Sequence, residues 1–119
     1  MHTVAQVAGE LQDDKIGFDA LVACLNAGTL TGAPKVRAMQ IIEETEDHTR
    51  GYYGGCVGYF GLNGDINTGI IIRTAHIKDQ QLSYCSGATL LHESQPEKEL
   101  QETNVKAQAF LKNLEMFTE

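Results

Sequence analysis

A basic turn running into a helix, Gly28-Thr29-Leu30-Thr31-Gly32-Ala33-Pro34-Lys35-Val36-Arg37-Ala38-Met39, puts glycines, hydroxyls and cations where a chain would hold an anion. It is not a nucleotide loop, because Gly-x-x-x-x-Gly-Lys-[Ser/Thr] cannot be laid over Gly28 to Lys35. Lys35 and Arg37 are ready anion ligands, or equally partners for Glu43, Glu44 or a neighbouring lobe. Glu99 and Glu102 stand three apart, so on a helix both carboxylates project from one side, as a hard divalent cation requires. By spacing alone a solvated acidic face is the commoner outcome, since two carboxylates seldom hold a metal unaided. Arg73 interrupts a strongly β-forming run, Ile70-Ile71-Ile72 before it and Thr74-Ala75 after it. Burying such a charge unpaired is costly. It therefore either lies on the solvent face of an antiparallel strand or uses its planar fork to bind a carboxylate through two bonds.

Three further positions carry chemistry. Tyr53 offers a hydroxyl donor, with an aromatic packed beside glycines as the plain alternative. Gly87-Ala88-Thr89 ends a strand, and the β-branched Thr89 restricts the backbone to ordinary φ values. His2 is of the residue type that orients or transfers a proton, against disorder at the second position of a terminus. His48, His76 and His92 lack metal-like spacing and read as surface or satisfied histidines.

The elements that must position these groups follow from pattern. Val4, Val7 and Leu11 suggest a strand from about residue 3 to 11, closed by a turn at Asp13-Asp14-Lys15. Leu21, Val22, Cys24 and Leu25 suit a short helix from Phe18 that stops at Asn26-Ala27-Gly28. Pro34 falls in the first turn of a second helix whose apolar face is Val36, Ala38, Met39 and Ile42. A β meander follows, Gly55–Leu62, Thr68–Ile77 and Leu82–Leu90, with turns at Asn63-Gly64-Asp65 and Lys78-Asp79-Gln80. Pro96 opens a last helix to about residue 116, its stripe made by Leu100, Ala107, Phe110, Leu111 and Leu114. The order β-α-α-β-β-β-α is α+β, with helices on one face of an antiparallel sheet, and residues 1–119 form one domain or lobe.

The whole-chain numbers restrict what this can be. With 119 residues, 42% of them hydrophobic and 21% charged, the chain has the makings of one soluble unit able to bury a core. A net charge of −7 argues against broad nucleic-acid binding, which draws on clustered Lys and Arg. A few placed cations can still hold a dianion. Neither an apolar run long enough for a membrane span nor a leader peptide is visible, which makes the cytoplasm the expected compartment. Cys24, Cys56 and Cys85 are odd in number and widely spaced, which favours buried thiols over a disulfide framework or zinc site.

The Gly28–Met39 stretch resembles the AGT-x-[ST]-GAPK-x-RAM signature of anthranilate synthase component I, among the chorismate-utilising enzymes. Arg50-Gly51-Tyr52-Tyr53-Gly54-Gly55-Cys56-Val57-Gly58-Tyr59-Phe60, Ile72-Arg73-Thr74, Ser86-Gly87-Ala88 and Glu99-Leu100-Gln101-Glu102-Thr103 follow in that family's order. The resemblance covers essentially the whole chain. It implies a C-terminal piece of a larger chorismate-binding α/β sandwich, whose N-terminal part would supply further substrate loops and another magnesium Glu.

Residue by residue, the resemblance implies that Glu102 ligates Mg²⁺, with Glu99 in its outer shell. Arg73 and Tyr53 would hold the enolpyruvyl carboxylate. Gly28 and the catalytic-loop Thr29 would wall the ring carboxylate. Backbone N–H groups of the Gly87-Ala88-Thr89 turn would face the substrate, where Thr89 replaces the family's usual Gly. His2 would face the ring in the elimination half-reaction, in a motif where Ala5 replaces Ser. The implied activity is that of a lyase of tryptophan biosynthesis, converting chorismate and ammonia to anthranilate and pyruvate, with a glutamine amidotransferase subunit as ammonia source. Aminodeoxychorismate synthase component I is the rival, disfavoured by Ala27-Gly28-Thr29 where it commonly has Gly-Gly-Ser. A folded, non-catalytic lobe is the expectation for the isolated 119 residues.

Overall fold

The computed structural model describes residues 4–115. Helix α1 spans Gly17–Cys24, α2 is a single turn at Gly28–Thr31, and α3 spans Lys35–Thr45. Strands β1 (Cys56–Phe60) and β2 (Ile66–Ile70) form one antiparallel hairpin, and β3 (Ala75–Lys78) and β4 (Gln81–Tyr84) a second. Helix α4, Pro96–Glu115, closes the order. The α+β composition is as expected from pattern.

Local chemistry explains most boundaries. The Asp19 carboxylate accepts the Ile16 N–H at 2.9 Å and so satisfies a donor at the start of α1. At its other end the Leu25 carbonyl accepts from the Lys35 ammonium at 3.2 Å. Gly32 ends α2 at φ 99°, a value that a side chain disfavours, and Pro34 at φ −65° directs the chain into α3. In the first hairpin Cys56 pairs with Ile70 and Phe60 with Ile66 around a turn that contains Asn63-Gly64, with Gly64 at φ 91°. Glu97 and Glu99 in the first turn of α4 and Lys112 in its last complement the helix dipole.

Three expectations are corrected. Residues 4–11 carry no regular structure: Val4, Val7 and Leu11 are spaced by three and four, not two, and no strand among the described residues pairs with them. The continuous strand expected over Thr68–Ile77 is broken at Ile71–Thr74, so the meander is two separate hairpins. Pairing of the first runs out where Ile71 N–H donates to Gly55 O and Gly54 N–H to Ile71 O, and Gly54 at φ 85° turns the chain away. Opposite, Arg73 takes φ 50° and the Thr74 hydroxyl caps the Ile72 carbonyl at 2.8 Å. The strand expected to reach Leu90 ends at Tyr84, because its extension is engaged by a helix instead. There the Tyr84 hydroxyl donates to Lys106 O, the Ser86 hydroxyl donates to Thr103 O, and the Tyr84 and Phe110 rings lie 4.6 Å apart.

The apolar core expected from composition is absent among the described residues. No hydrophobic side chain is buried. Phe18 of α1 meets Phe60 of β1 with ring centroids 6.0 Å apart, yet both rings stay half exposed. The radius of gyration is 17.4 Å, against roughly 13–14 Å for a compact chain of this length. The elements form a framework open on its apolar faces, and a concave region lies where α2, the Arg73 break and α4 converge.

Candidate functional site

That region is a cleft of about 130 Å³ built from five segments. Thr29 and Leu30 come from α2, Tyr53 from the turn before β1, and Ile72 and Arg73 from the break between the hairpins. Tyr84 to Gly87 and Thr89 line the wall that leads from β4, and Lys106 reaches in from the middle of α4. Enclosed sites for small molecules usually measure about 300 Å³ or more, so this is one wall of such a site. Two cations line it and no carboxylate does. Glu102 pairs with the Lys106 ammonium from outside the lining, so Arg73 is the lining cation without a carboxylate partner among the described residues, and it is the one suited to an anion.

Each wall has a physical cause. Arg73 is exposed and stands at φ 50°, in the left-handed region that any residue with a Cβ disfavours. Holding it there aims a guanidinium from the hairpin junction, where a regular strand would have sent it to one sheet face. Neither Gly87 nor Thr89 takes a positive φ, so threonine in the third position imposes no backbone strain. A Cβ at Gly87 would sit 3.1 Å from the Tyr53 hydroxyl, which makes glycine the residue that lets this donor approach the wall. The Gly87 carbonyl accepts from the Lys106 ammonium at 2.9 Å.

Burial, reinforced by Cys85, pushes the Tyr53 hydroxyl above its ordinary value, although Arg50 and Lys106 pull the other way. It stays protonated at neutral pH, which keeps its O–H available as a hydrogen-bond donor. Burial also pushes the Cys85 thiol up, against the pull of Arg50, so Cys85 is a packing group with no thiolate to offer. Behind the cleft, Arg50 forms a two-bonded pair with Glu46, which holds the Glu46 carboxyl below the usual carboxylate range through that hydrogen bond first.

Of the residues singled out in the sequence, the cleft thus gathers Thr29, Tyr53, Arg73, Gly87 and Thr89. Ala88 is half buried beside them and outside the lining. His2 lies outside the described residues. Lys35 and Arg37 are not in the cleft: Lys35 holds the end of α1, and Arg37 pairs with Glu44 at 3.3 Å on the surface of α3. His76 packs edge-on against Tyr52 at 5.2 Å. Lys106 was missed by sequence reasoning. Its signal was present, a lysine four residues after Glu102 on a helix.

The two carboxylates proposed for a metal do not fit one as they stand. Glu102 is 53% exposed and paired with Lys106 at 2.5 Å. Glu99 borders another concavity, with Leu91, Glu93, Ser94, Gln95 and Lys98. Among the described residues no three His, Cys, Asp or Glu side chains come together. Among them, too, no helix is long and apolar enough to cross a membrane, and the three cysteines are free.

Comparison with known proteins bears on what the cleft holds. Anthranilate synthase component 1 of Acetivibrio thermocellus is 50% identical over 115 residues, covering 97% of this chain and 23% of that protein. The component 1 of Neisseria meningitidis serogroup A is 49% identical over all 119 residues, 24% of its own length. That of Thermococcus kodakarensis is 50% identical over 113 residues, 95% of this chain and 26% of that protein. The chain spans about a quarter of the length of these relatives. The model of the chorismate binding enzyme family matches residues 1–112, and with a match of that extent the chain belongs to this family.

Proposed function

We propose that these residues serve in an anthranilate synthase component I, which converts chorismate and ammonia to anthranilate, pyruvate and water. The observation that carries the reading is the cleft, in which Arg73, Lys106 and the protonated Tyr53 hydroxyl converge with no carboxylate among the lining residues. The roughly even identity to component 1 enzymes of several organisms supports the same reading. Chorismate carries two carboxylates. Arg73 and Tyr53 are suited to the one on the enolpyruvyl group, which leaves as pyruvate, and Thr29 with Gly28 to the one on the ring.

In this reading the chain's residues act by position and charge. The Arg73 fork and the Tyr53 O–H fix the departing side chain, so that its C–O bond is held for elimination. Lys106, held between the Gly87 carbonyl and the Glu102 carboxylate, fixes the wall that faces the leaving group. His2 is the proposed proton carrier at the ring. Ammonia would come from glutamine through an amidotransferase subunit, as the designation component 1 suggests, and the cytoplasm is the compartment proposed. Magnesium belongs to the proposal only for a full-length enzyme, where Glu102 and Glu99 would join donors from elsewhere; no step assigned to these residues passes through it. For the 119 residues by themselves, the absence of buried apolar side chains among the described residues favours a non-catalytic lobe. Nothing in the cleft favours the aminodeoxychorismate synthase alternative.

The test is anthranilate fluorescence with chorismate, ammonium and Mg²⁺, from the chain alone and from a full-length component 1 carrying it as the matching segment. The expected outcome is no signal from the chain and turnover from the full-length protein. There Arg73→Ala lowers kcat/KM by about 100-fold or more, as loss of a charge-assisted bidentate contact does. Turnover unchanged by Arg73→Ala would overturn the assignment.

A further inference from the structure

We propose that Arg50 is a positioning residue of the cleft, setting the Tyr53 ring and the Thr29–Leu30 backbone through one guanidinium that never touches the ligand. The proposal rests on the reading of the cleft as the carboxylate site. Arg50 does not line the cleft. Its Nε donates to both Glu46 carboxylate oxygens, at 3.1 and 2.8 Å, and one terminal nitrogen donates to Oε1 at 2.5 Å. The other terminal nitrogen donates to the Leu30 carbonyl at 2.8 Å, twenty residues away in sequence. The guanidinium carbon lies 5.7 Å from the Tyr53 ring centroid.

These contacts join three segments that share no regular hydrogen-bond ladder. Glu46 caps the C-terminal end of α3, Leu30 follows Thr29 in the one-turn α2, and Tyr53 precedes β1. A single turn has too few internal bonds to hold its own orientation, and Tyr53 sits in a glycine-rich bend. With no apolar core beneath them among the described residues, a polar tie is what fixes their spacing. The pair is about a quarter to a third exposed, which strengthens it relative to a surface ion pair. Lysine could not replace this arrangement, because an ammonium lacks the planar fork needed to grip a carboxylate and a carbonyl together.

The consequence is that the effect of Arg50 on ligand affinity passes through Tyr53 and α2. In a full-length component 1 carrying the chain, Arg50→Ala and Tyr53→Phe should each raise the chorismate KM by about tenfold with a smaller change in kcat. The double variant should exceed the larger single effect by no more than about threefold, where independent residues would multiply to about a hundredfold. Arg50→Lys should fail to restore KM. If Arg50→Ala does not fold, Glu46→Gln is read in its place, with the same pattern at smaller amplitude. In the Arg50→Ala protein without ligand, or in Glu46→Gln where that one is read instead, NMR signals of the Tyr53 ring and the Thr29 and Leu30 amides should shift, while those of the β1–β2 hairpin stay. Unmoved signals at Tyr53 and α2, or a fully multiplicative double variant, would overturn the proposal. If instead Arg73→Ala leaves the chorismate KM unchanged, it is the carboxylate reading that fails, and the ligand-free signals alone decide the role of Arg50.

Discussion

At the residue scale, the site depends on side chains held where their backbone would not place them unaided. Arg73 occupies a left-handed conformation at φ 50°, which costs a non-glycine residue roughly 1–2 kcal/mol. Arg73→Gly should therefore raise thermal stability by about 0.5–1 kcal/mol while it raises the chorismate KM of a full-length enzyme. Stability and function would move in opposite directions, and a denaturant titration beside a kinetic titration shows whether they do. Glu46 gives a pH signature. Its carboxyl is held below the ordinary value of 4.5, by the Arg50 hydrogen bond first and its charge after, against a desolvation that raises it. A depressed carboxyl contributes stability above its unfolded value and loses it as pH falls through the folded one. Glu46→Gln should thus cost about 1 kcal/mol at neutral pH, where the carboxylate is charged in both states, and progressively less as pH falls through the lowered folded value, measured as the difference in unfolding midpoints along an acid titration.

At the element scale, the hairpins show how local rules and pairing divide the work. Asn63-Gly64 marks the first turn by its own preferences, and Gly58 marks a close approach, since a Cβ there would collide with the Asn67 carbonyl. The second hairpin turns through Asp79 and Gln80, at φ 50° and 61°. Two successive positive φ values match a turn type that favours Asn-Gly or Asp-Gly. Gln80→Gly should stabilise the β3–β4 hairpin by about 0.5–1 kcal/mol, read from amide exchange of His76 and Ser83, the hydrogen-bonded pair next to the turn-closing one. No change in their protection would show that the turn conformation carries no strain. The break at Ile71–Thr74 was not legible in the same way. Most residues from Thr68 to Ile77 are neutral or favourable for a strand, Gly69, Arg73 and Ala75 being the exceptions, and pairing runs out at Gly54.

At the scale of the whole molecule, the chain exposes apolar side chains from nearly every element, with Val36 71% exposed and Val57 65%. Burial of apolar area is the dominant favourable term in folding, and here the described residues recover little of it among themselves. The 119 residues alone should bind a hydrophobic dye strongly and unfold without a sharp thermal transition. The same residues within a full-length component 1 should melt cooperatively. A sharp transition from the chain alone would show that it buries a core of its own.

Sequence by itself determined the family and the start of α3 just after Pro34, because glycine, proline and charge at fixed spacing act through short-range geometry, whereas the single-turn α2 at Gly28–Thr31 was not read from it. It identified five of the cleft's lining residues by type: Thr29, Tyr53, Arg73, Gly87 and Thr89. Tertiary structure alone decided that Lys35 secures the end of α1 outside the cleft, that Lys106 joins the cleft by taking the Gly87 carbonyl, and that Arg50 ties α2 to α3. Glu99 and Glu102, three apart on one helix, point their chemistry to different surroundings for the same reason. A residue's type sets what it is able to bind, but its partner is whichever distant group the fold brings within about 3 Å, and that distance is written in no local pattern.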